Sequence, residues 1–337
     1  MFRTRIRLVL LYAVILTAIL SAVVLAKVSA FGTLFRLEAA DIFAPLPEQI
    51  LADGTVTFLL LGIGGGDHEG PNLTDSITFV RYSPEQNQIS TLGIPRDLWD
   101  PDIKDKVNSI YTYALDQTET NTFAYVKSAF MSLLQTEIDY VAVIDFKDFE
   151  ELIDLLGGIR VNIDKGFVDP WYPKAGYENT ECEPYDPNYS CRYETLVFRE
   201  GNQELNGTVA LKFVRSRHAQ GDEGSDFSRS KRQQLVINGI QSRLMEIVKQ
   251  RDFDTILQVM AFLDSKIKRD ITNKESLAIG RTMLLHGSVP KVRGSAINDT
   301  VFEVPPLEEY DGRYVLIPKD GDYAALGSLI NNALNDH

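Results

Sequence analysis

The chain has 337 residues, of which 44% are hydrophobic and 24% charged, a balance typical of a folded globular protein rather than a disordered one. Its net charge is −13. Nucleic-acid binding needs a basic surface, so this charge argues against it, and any local cluster of basic residues stands out against the acidic background.

The first predicted element is an apolar segment at residues 8–26, LVLLYAVILTAILSAVVLA, which contains no charged residue. Its 19 residues approach the helix length, about 20 residues, that crosses the core of a bilayer. Arg3, Arg5 and Arg7 precede it, and a basic flank stays in the cytoplasm. We expect a cytoplasmic tail (residues 1–7), a transmembrane helix (8–26) and an extracytoplasmic domain held at the cell membrane. The alternative is a cleaved signal peptide, whose apolar core is usually shorter.

Alternating strand and helix patterns follow a linker at residues 27–54. Apolar and β-branched runs predict strands at 55–61, 76–82, 88–94, 140–144 and 159–163, the second and third joined as a hairpin by SPEQN. Helical spacing predicts helices at 120–134, 146–156, 206–215, 226–249 and 323–334, with two more within 253–285. Short strands are predicted at 301–304 and 314–317.

Strands interspersed with helices predict an α/β fold, an αβα sandwich in which a central mixed sheet carries helices on both faces. Residues 55–250 form the main domain in this prediction. Residues 251–337 form a C-terminal extension, which either joins the same sheet or makes a small appended unit.

Residues 164–199 are predicted to be irregular, and they are rich in aromatic residues. An insertion of this length in a compact domain is usually functional or flexible, and its aromatic side chains either stack on sugars or simply pack. It holds the two cysteines of the chain, Cys182 and Cys191. In an exported protein we expect them to form a disulfide that closes a short loop; two reduced thiols are the alternative.

A basic cluster lies within VRSRHAQGDEGSDFSRSKRQQ at residues 214–234. Arg215 and Arg217 close one predicted helix, and Asp226 is the expected N-cap of the next. Arg229 and Arg232 are three residues apart, so they share one face of that helix. Guanidinium groups near a helix start suit phosphate, because the backbone N–H groups also favour anions there. The alternative is a solvated helix whose arginines pair with nearby acidic residues.

Two further stretches follow predicted strands. In GIPRD, the turn at the proline places Arg96 and Asp97 at a strand end, where α/β sheets bind ligands; a surface salt bridge is the alternative. The glycine-rich LLGIGGGDHEGPNLTDS lacks the ending of a P-loop. Its Asp75 begins a strand, where it either helps to hold a divalent cation or serves as a turn residue. The four histidines show no metal-ligand spacing, which disfavours zinc chemistry.

Taken in order, these motifs resemble the LytR–CpsA–Psr family of cell-envelope proteins. The matching pieces are FLLLGI, LTDSI, IPRD, KVNSIYTYA, IDFKDFEELIDLLGGIRVNI and GNQELNGTVALKFVRSRH…GSDFSRSKRQQ. The resemblance implies an apolar channel for a polyprenyl chain, arginines that bind its pyrophosphate at the channel mouth, and Mg²⁺ (or Mn²⁺) as cofactor.

The resemblance also implies roles for individual residues. The implied pyrophosphate-binding residues are Arg96, Arg215, Arg217, Arg229, Arg232 and Gln233. Asp97 and Asp226 are the candidates for the base that takes a proton from an acceptor hydroxyl, so with Arg96 they make up the predicted catalytic set. Asp75 is the implied metal ligand. The family's usual second aspartate is replaced by Gly64, and Asp67 is the candidate substitute.

These features predict a phosphotransferase. It would move a glycopolymer, such as teichoic acid or capsule, from a polyprenyl-pyrophosphate carrier in the membrane to peptidoglycan or a similar cell-wall acceptor, without a nucleic-acid partner. Two alternatives stay open. One is a polyprenyl-pyrophosphate phosphatase, with water as the acceptor. The other is a non-catalytic scaffold that binds polyprenyl phosphate, which the missing aspartate at Gly64 favours.

Overall fold

The computed structural model describes residues 45–47, 50, 54–66, 70–117, 121–174, 176–177, 179–182, 186, 188–288 and 290–335. The predicted transmembrane helix at residues 8–26 lies outside this part of the chain. Within the described part, no helix combines the length and the hydropathy that a membrane span requires.

The secondary structure alternates between strands and helices along the whole described chain. The main strands are β1 (Val56–Ile63), β2 (Thr74–Ser83), β3 (Gln88–Ile94), β4 (Tyr140–Asp145), β5 (Ile159–Ile163), β6 (Phe167–Pro173), β7 (Tyr193–Phe198), β8 (Gly201–Leu205), β9 (Lys268–Arg269) and β10 (Lys291–Ala296). The α-helices are α1 (Ile110–Gln117), α2 (Thr122–Leu134), α3 (Phe146–Leu155), α4 (Gly207–Arg215), α5 (Asp226–Gln250), α6 (Phe253–Lys266), α7 (Asn273–Leu285) and α8 (Tyr323–Asn335). The strands and helices predicted between residues 55 and 163 are confirmed to within two residues at each end.

The central sheet has six strands in the order β9-β4-β1-β2-β3-β10. Strands β4 and β10 run parallel to their neighbours β1 and β3, whereas β2 is antiparallel to both β1 and β3. The sheet is therefore mixed, as predicted. The carboxyl ends of β1, β3, β4 and β10 and the start of β2 all meet at one edge, which we call the carboxyl edge.

The first face of the sheet is closely packed. Leu59 and Leu61 of β1 and Phe79 of β2 are fully buried beneath α1, α2 and α8. Gly327 of α8 permits a close approach, because a Cβ there would lie 2.4 Å from the backbone oxygen of Leu134. Apolar side chains on alternate strand positions thus fill this side of the core.

The second face of the sheet is packed at one end and looser in the middle. At the amino end of β1, Val56, Tyr82 and Tyr140 are buried against Ile279 of α7. Other apolar side chains on this face are only half-buried; they are Val80, level with Tyr140, and, nearer the carboxyl edge, Leu60, Ala142 and Ile144. In the described part of the chain, none of these four residues belongs to a buried hydrophobic cluster. The sheet therefore has an apolar strip that its own helices do not fully cover.

A second group of elements packs beside the sheet. Strands β5 and β8 form one antiparallel pair and β6 and β7 another. Their apolar side chains share a cluster with α4 and with Val236 of α5. The prediction that residues 164–199 are irregular was wrong, because backbone pairing makes β6 and β7 a hairpin arm. The predicted disulfide between Cys182 and Cys191 is confirmed near the tip of this arm, with a Cα–Cα distance of 5.7 Å.

The C-terminal extension belongs to the same fold. Strand β9 pairs with β4, β10 pairs with β3, and Leu326 and Ile330 of α8 lie in the first-face core. Of the two alternatives left open for residues 251–337, the structure shows the one in which they join the central sheet.

Candidate functional site

The carboxyl edge gathers residues that are far apart in the sequence. Arg96 follows β3, Asp75 lies near the start of β2, and Asp145 ends β4. Strands β4 and β3 are separated by β1 and β2, so their ends lie three strand spacings apart, about 14 Å. Residues from both ends therefore border one shared surface.

Arg96 is held by carboxylates on both sides. Its guanidinium donates to Asp75, and its Nε lies 3.6 Å from Oδ2 of Asp97. The other oxygen of Asp97 accepts a hydrogen bond from Nζ of Lys106 at 2.8 Å. The Nε of Arg96 is buried and has no hydrogen-bond partner within the described chain. The ion pair between Arg96 and Asp75 thus links the end of β3 to the start of β2. Lys106 fixes the orientation of Asp97.

The C-terminal extension supports the turn that carries Arg96. The N–H of Leu316 donates to the carbonyl of Asp97 at 2.8 Å, and the N–H of Trp99 donates to the carbonyl of Leu316 at 2.8 Å. The guanidinium of Arg313 lies 5.2 Å from the centroid of the Trp99 ring and donates to Asp105 at 2.9 Å. These contacts hold the turn in place through residues of the C-terminal extension.

At the other end of the surface, Arg215 closes α4 and lies above the first residue of α3. Its guanidinium carbon is 4.1 Å from the centroid of the Phe146 ring, a cation–π contact. Arg215 also lies close to Tyr172 of β6. Burial raises the pKa of Tyr172, and the positive charge of Arg215 opposes that rise. Phe146 and Tyr172 therefore fix the position of Arg215.

The loop that carries Arg217 is fastened by a buried carboxylate. Asp169 of β6 is fully buried, and its Oδ2 accepts hydrogen bonds from the hydroxyl of Ser216 at 2.6 Å and the N–H of His218 at 3.2 Å. Its Oδ1 accepts from the N–H of Trp171 at 3.0 Å. Since Ser216 and His218 flank Arg217, Asp169 fixes the backbone on both sides of that arginine.

Arg232 fastens the same loop from the helix side. It is 3% exposed, and its guanidinium donates to the carbonyls of Phe213 at 3.1 Å, Ser216 at 2.7 Å and Glu223 at 2.9 Å. Burial, opposed by the charge of Glu223 and reinforced by that of Arg229, lowers the pKa of Arg232 to about 10. The structure thus places Arg232 as a loop-positioning residue, while its predicted contact with pyrophosphate stays a prediction.

Helix α5 brings Arg229 to the carboxyl edge. Gln234 donates to the hydroxyl of Thr91 in β3 at 3.2 Å, and Gln241 donates to the carbonyl of Pro290, before β10, at 3.0 Å. The helix therefore runs opposite to β3 and β10, with its start toward the carboxyl edge. Arg229 lies five residues before Gln234, about 7.5 Å nearer that edge. Arg229 is also buried.

The start of α5 differs from the prediction in one detail. The N-cap is Ser225, whose hydroxyl accepts from the N–H of Ser228 at 3.2 Å, so the prediction of Asp226 as N-cap was wrong. Asp226 is the first residue of the helix, and the position of its side chain lies outside the described structure. Gln233 is half-buried, between the loop-binding Arg232 and the sheet-binding Gln234.

The glycines after β1 lie close to the start of α3. Gly65 has a φ of 65°, and a Cβ at this position would lie 2.7 Å from Cβ of Asp145. Asp145 caps α3 by accepting from the N–H of Asp148 at 2.7 Å. The predicted metal ligand Asp67 lies outside the described residues. No cluster of three metal-binding side chains occurs in the part of the chain that the structure describes.

The residues present are nevertheless compatible with a hard divalent cation. Mg²⁺ commonly takes one or two carboxylates and completes its coordination with phosphate oxygens and water. Asp75 supplies one carboxylate at the same edge as the arginines. The donor set therefore fits a cation that depends on a bound phosphate for most of its ligands.

Together, the fold and the site define an α/β sandwich protein with an arginine-rich surface at the carboxyl edge of its central sheet. Residues 36–323 match the model of the LytR_cpsA_psr family. The chain therefore belongs to the LytR–CpsA–Psr family, as the sequence motifs predicted.

Sequence relatives include proteins named polyisoprenyl-teichoic acid–peptidoglycan teichoic acid transferase TagU. The chain is 25% identical to that of Bacillus licheniformis over 218 residues, covering 64% of this chain and 59% of the relative. It is 24% identical to that of Bacillus subtilis over 220 residues, covering 64% and 60%. The chain thus matches less than two thirds of the length of these relatives.

Solved structures show the same fold. Bacillus subtilis TagV has a TM-score of 0.56 at 20% identity, covering 83% of this chain and 97% of that one. A protein of Enterococcus faecalis described as a transcriptional regulator has a TM-score of 0.59 at 20% identity, covering 85% and 89%. TagT bound to LIIa-WTA has a TM-score of 0.54 at 18% identity, covering 84% and 91%.

Sequence reasoning did not find several of the residues that build this site. Asp169 bonds to the residues on both sides of Arg217, and Tyr172 lies beside Arg215, yet no motif marks either residue. Lys106, which bonds to Asp97, begins the matching piece KVNSIYTYA, but that pattern gave it no role at the site. Phe146 directly follows the helix-capping Asp145 in IDFKD, so an aspartate before a helical pattern was the one signal that pointed to this position.

Proposed function

We propose that this protein is a phosphotransferase that moves a glycopolymer from a polyprenyl-pyrophosphate carrier to a cell-wall acceptor such as peptidoglycan. The observation that carries the proposal is the placement of Arg96, Arg215 and Arg229 along the carboxyl edge of a sheet whose second face holds a half-buried apolar strip. A pyrophosphate on a lipid chain needs both surfaces. The activity named for the TagU relatives supports the same conclusion.

The apolar strip gives the polyprenyl chain a place beneath the arginines. Leu60 and Val80 lie on the second face, on the two central strands that lead to Gly64 and from Asp75, respectively. Burying apolar lipid surface against such side chains is favourable at about 25 cal/mol per Å². A lipid in this position would hold its pyrophosphate at the carboxyl edge.

In the proposed reaction, a hydroxyl of the acceptor attacks the phosphorus bonded to the glycan. The bond from that phosphorus to the bridging oxygen breaks, and polyprenyl phosphate leaves. The guanidinium groups of Arg96, Arg215, Arg217 and Arg229 neutralise the charge on the phosphate oxygens, which is most of what phosphoryl transfer requires. Asp97 or Asp226 accepts the hydroxyl proton. A divalent cation held by Asp75 would add further charge stabilisation.

The location of the reaction follows from the same substrate. The carrier lipid lies in the membrane, so a domain held at its outer surface by the helix proposed for residues 8–26 would meet the donor there. The short cytoplasmic tail would then be residues 1–7. Tagging each terminus and probing its accessibility to protease in intact cells tests this orientation.

The test of the proposed function is a product analysis with the purified full-length chain and a defined polyprenyl-pyrophosphate oligosaccharide, with and without peptidoglycan. Transfer predicts oligosaccharide phosphate bound to peptidoglycan, whereas phosphatase activity predicts the same products with or without the acceptor. Arg96→Ala should abolish transfer. Arg160→Ala is the matched control, because the side chain of Arg160 is 75% exposed in its pair with Glu204.

One observation supports the scaffold alternative: Gly64 replaces an aspartate that is usual in the family. This alternative predicts binding of polyprenyl phosphate without turnover under any metal condition. Product formation by the wild-type chain, lost in Arg96→Ala, would exclude it.

A further inference from the structure

The β6–β7 arm concentrates exposed aromatic side chains. Among the described residues, five large aromatic side chains are exposed, and three of them lie on this arm: Trp171 (39%), Tyr177 and Tyr189 (51%). A monomeric protein rarely groups exposed apolar surface without a use for it. The proposed reaction, as described so far, leaves these side chains without a role.

The arm holds these rings in fixed positions. Trp171 meets Tyr193 edge-to-face, with ring centroids 5.6 Å apart. The Lys174 ammonium lies 4.4 Å from the centroid of the Tyr177 ring, and the Arg192 guanidinium 4.3 Å from that of Tyr189.

Backbone contacts and the disulfide join the two sides of the arm near its tip. The N–H of Lys174 donates to the carbonyl of Arg192 at 2.8 Å, and Cys182 is bonded to Cys191 close by. Rings that are already ordered lose little entropy when a ligand binds.

The arm is also continuous with the phosphate-binding surface. Tyr172, the residue after Trp171, is buried and lies close to Arg215. Asp169, two residues before Trp171, fixes the loop that carries Arg217. Trp171 therefore lies one residue from a neighbour of Arg215 and two residues from the carboxylate that fixes the Arg217 loop.

The charge of the arm limits the class of ligand. Residues 174–193 contain two basic residues, Lys174 and Arg192, against four acidic ones, Glu178, Glu181, Glu183 and Asp186, a net charge of −2. A negatively charged arm repels a polymer of phosphates but does not repel a neutral polymer. Tyr and Trp present an apolar ring with a polar group at its edge, which matches a sugar ring with one C–H face and hydroxyls around it.

We infer that the β6–β7 arm is the subsite for the neutral saccharide backbone of the acceptor, with Trp171 and Tyr189 as its stacking surfaces. The inference rests on the proposed function, because it names the acceptor side of that reaction. A chain of N-acetylhexosamine units would lie along the arm and present a hydroxyl to the phosphorus held by Arg215.

The test is binding of chitotetraose, a neutral N-acetylglucosamine tetramer, to the full-length chain in detergent micelles, measured by calorimetry. Trp171→Ala and Tyr189→Ala should each weaken binding at least about fivefold, the size of effect expected for an anchoring aromatic residue. Phe253→Ala is the matched control, because Phe253 is also an exposed aromatic residue (59%) and lies outside the arm. Poly(glycerol phosphate) should not compete with chitotetraose. Thermal unfolding of each variant should match that of the wild type.

Wild-type affinity in both arm variants, or no binding of chitotetraose by the wild-type chain at millimolar concentration, would overturn the inference. A failure of this inference can be distinguished from a failure of the proposed function. Inorganic pyrophosphate binding should be unchanged in Trp171→Ala, whereas it fails in Arg96→Ala if the proposed function is right.

Discussion

The guanidinium of Arg96, which follows β3, contacts the carboxylate of Asp75 at the start of β2. The two side chains hold one another in the absence of a substrate. A bound pyrophosphate would compete with Asp75 for Arg96, and a cation would compete with Arg96 for Asp75. If Arg96 binds pyrophosphate and Asp75 binds a cation, as proposed, the pair exchanges its internal contact for contacts with a phosphate and a metal ion.

This exchange predicts that Asp75→Asn has opposite effects on pyrophosphate affinity with and without a divalent metal ion. Without divalent metal, Asp75→Asn should bind inorganic pyrophosphate more tightly than the wild type, because the carboxylate that competes for Arg96 is gone. With Mg²⁺ present it should bind more weakly, because a metal ligand is lost. Calorimetry in chelator and in Mg²⁺ measures both. Asp102→Asn, at an exposed position near the turn, is the control, and weaker binding by Asp75→Asn without metal would contradict the prediction.

Substitutions of Arg232 and of its neighbour Lys231 should have different effects on stability, because Arg232 is buried and Lys231 is exposed. Arg232→Met leaves three backbone carbonyls without their donor, so it should lower the free energy of unfolding by about 3–5 kcal/mol. Lys231→Met should change it by less than about 0.5 kcal/mol, because Lys231 is half exposed in its pair with Asp164. Urea unfolding measures both values. If Arg232→Met is as stable as the wild type yet fails to bind pyrophosphate, Arg232 is a ligand contact instead.

Asp169 should control phosphate affinity from a distance. Asp169→Asn replaces an acceptor with a group that also donates, facing the Ser216 hydroxyl and the N–H of His218. We expect a loss of about 1–3 kcal/mol in the free energy of unfolding and weaker pyrophosphate binding, because the loop that carries Arg217 is released. Asp164→Asn, at a solvent-exposed carboxylate, should have neither effect. Unchanged pyrophosphate affinity in a folded Asp169→Asn variant would show that the loop does not depend on this carboxylate.

Gly64→Asp should restore a carboxylate next to the proposed metal position. Gly64 precedes Gly65 and Gly66, whose φ angles of 65° and 54° would strain a side chain. We expect tighter Mn²⁺ binding in the presence of pyrophosphate, measured by electron paramagnetic resonance titration. Gly66→Asp should not reproduce the gain, and equal Mn²⁺ affinity in wild type and Gly64→Asp would place the cation elsewhere.

The main sheet was predictable because its strands are rich in apolar and β-branched residues. Strands β1, β3 and β4 are short apolar runs, and the end of α3 is marked by Gly157. By contrast, β6 and β7 contain Pro, Trp, Tyr and charged residues without regular alternation. Their pairing depends on contacts between distant parts of the chain, which no local pattern records.

Site residues were predictable only where they lie in a sequence motif. Arg96 and Arg215 lie in short patterns with phosphate-binding character, and the structure brings both to the carboxyl edge. Asp169 accepts hydrogen bonds from Ser216 and His218, which lie 47 and 49 positions further along the chain. The residues near Asp169 in the sequence therefore do not indicate its role. The difference between Ser225 and Asp226 as N-cap was a choice between two good capping residues, which local geometry decided.

The central claim is that phosphate travels with the glycan. The direct measurement uses a polyprenyl-pyrophosphate oligosaccharide with ³²P only in the phosphate bonded to the sugar, incubated with the full-length chain and peptidoglycan. The account predicts label in the peptidoglycan fraction, with unlabelled polyprenyl phosphate released in equal amount. Label that stays with the lipid, or label that leaves as a soluble sugar phosphate while the acceptor remains unlabelled, would contradict it.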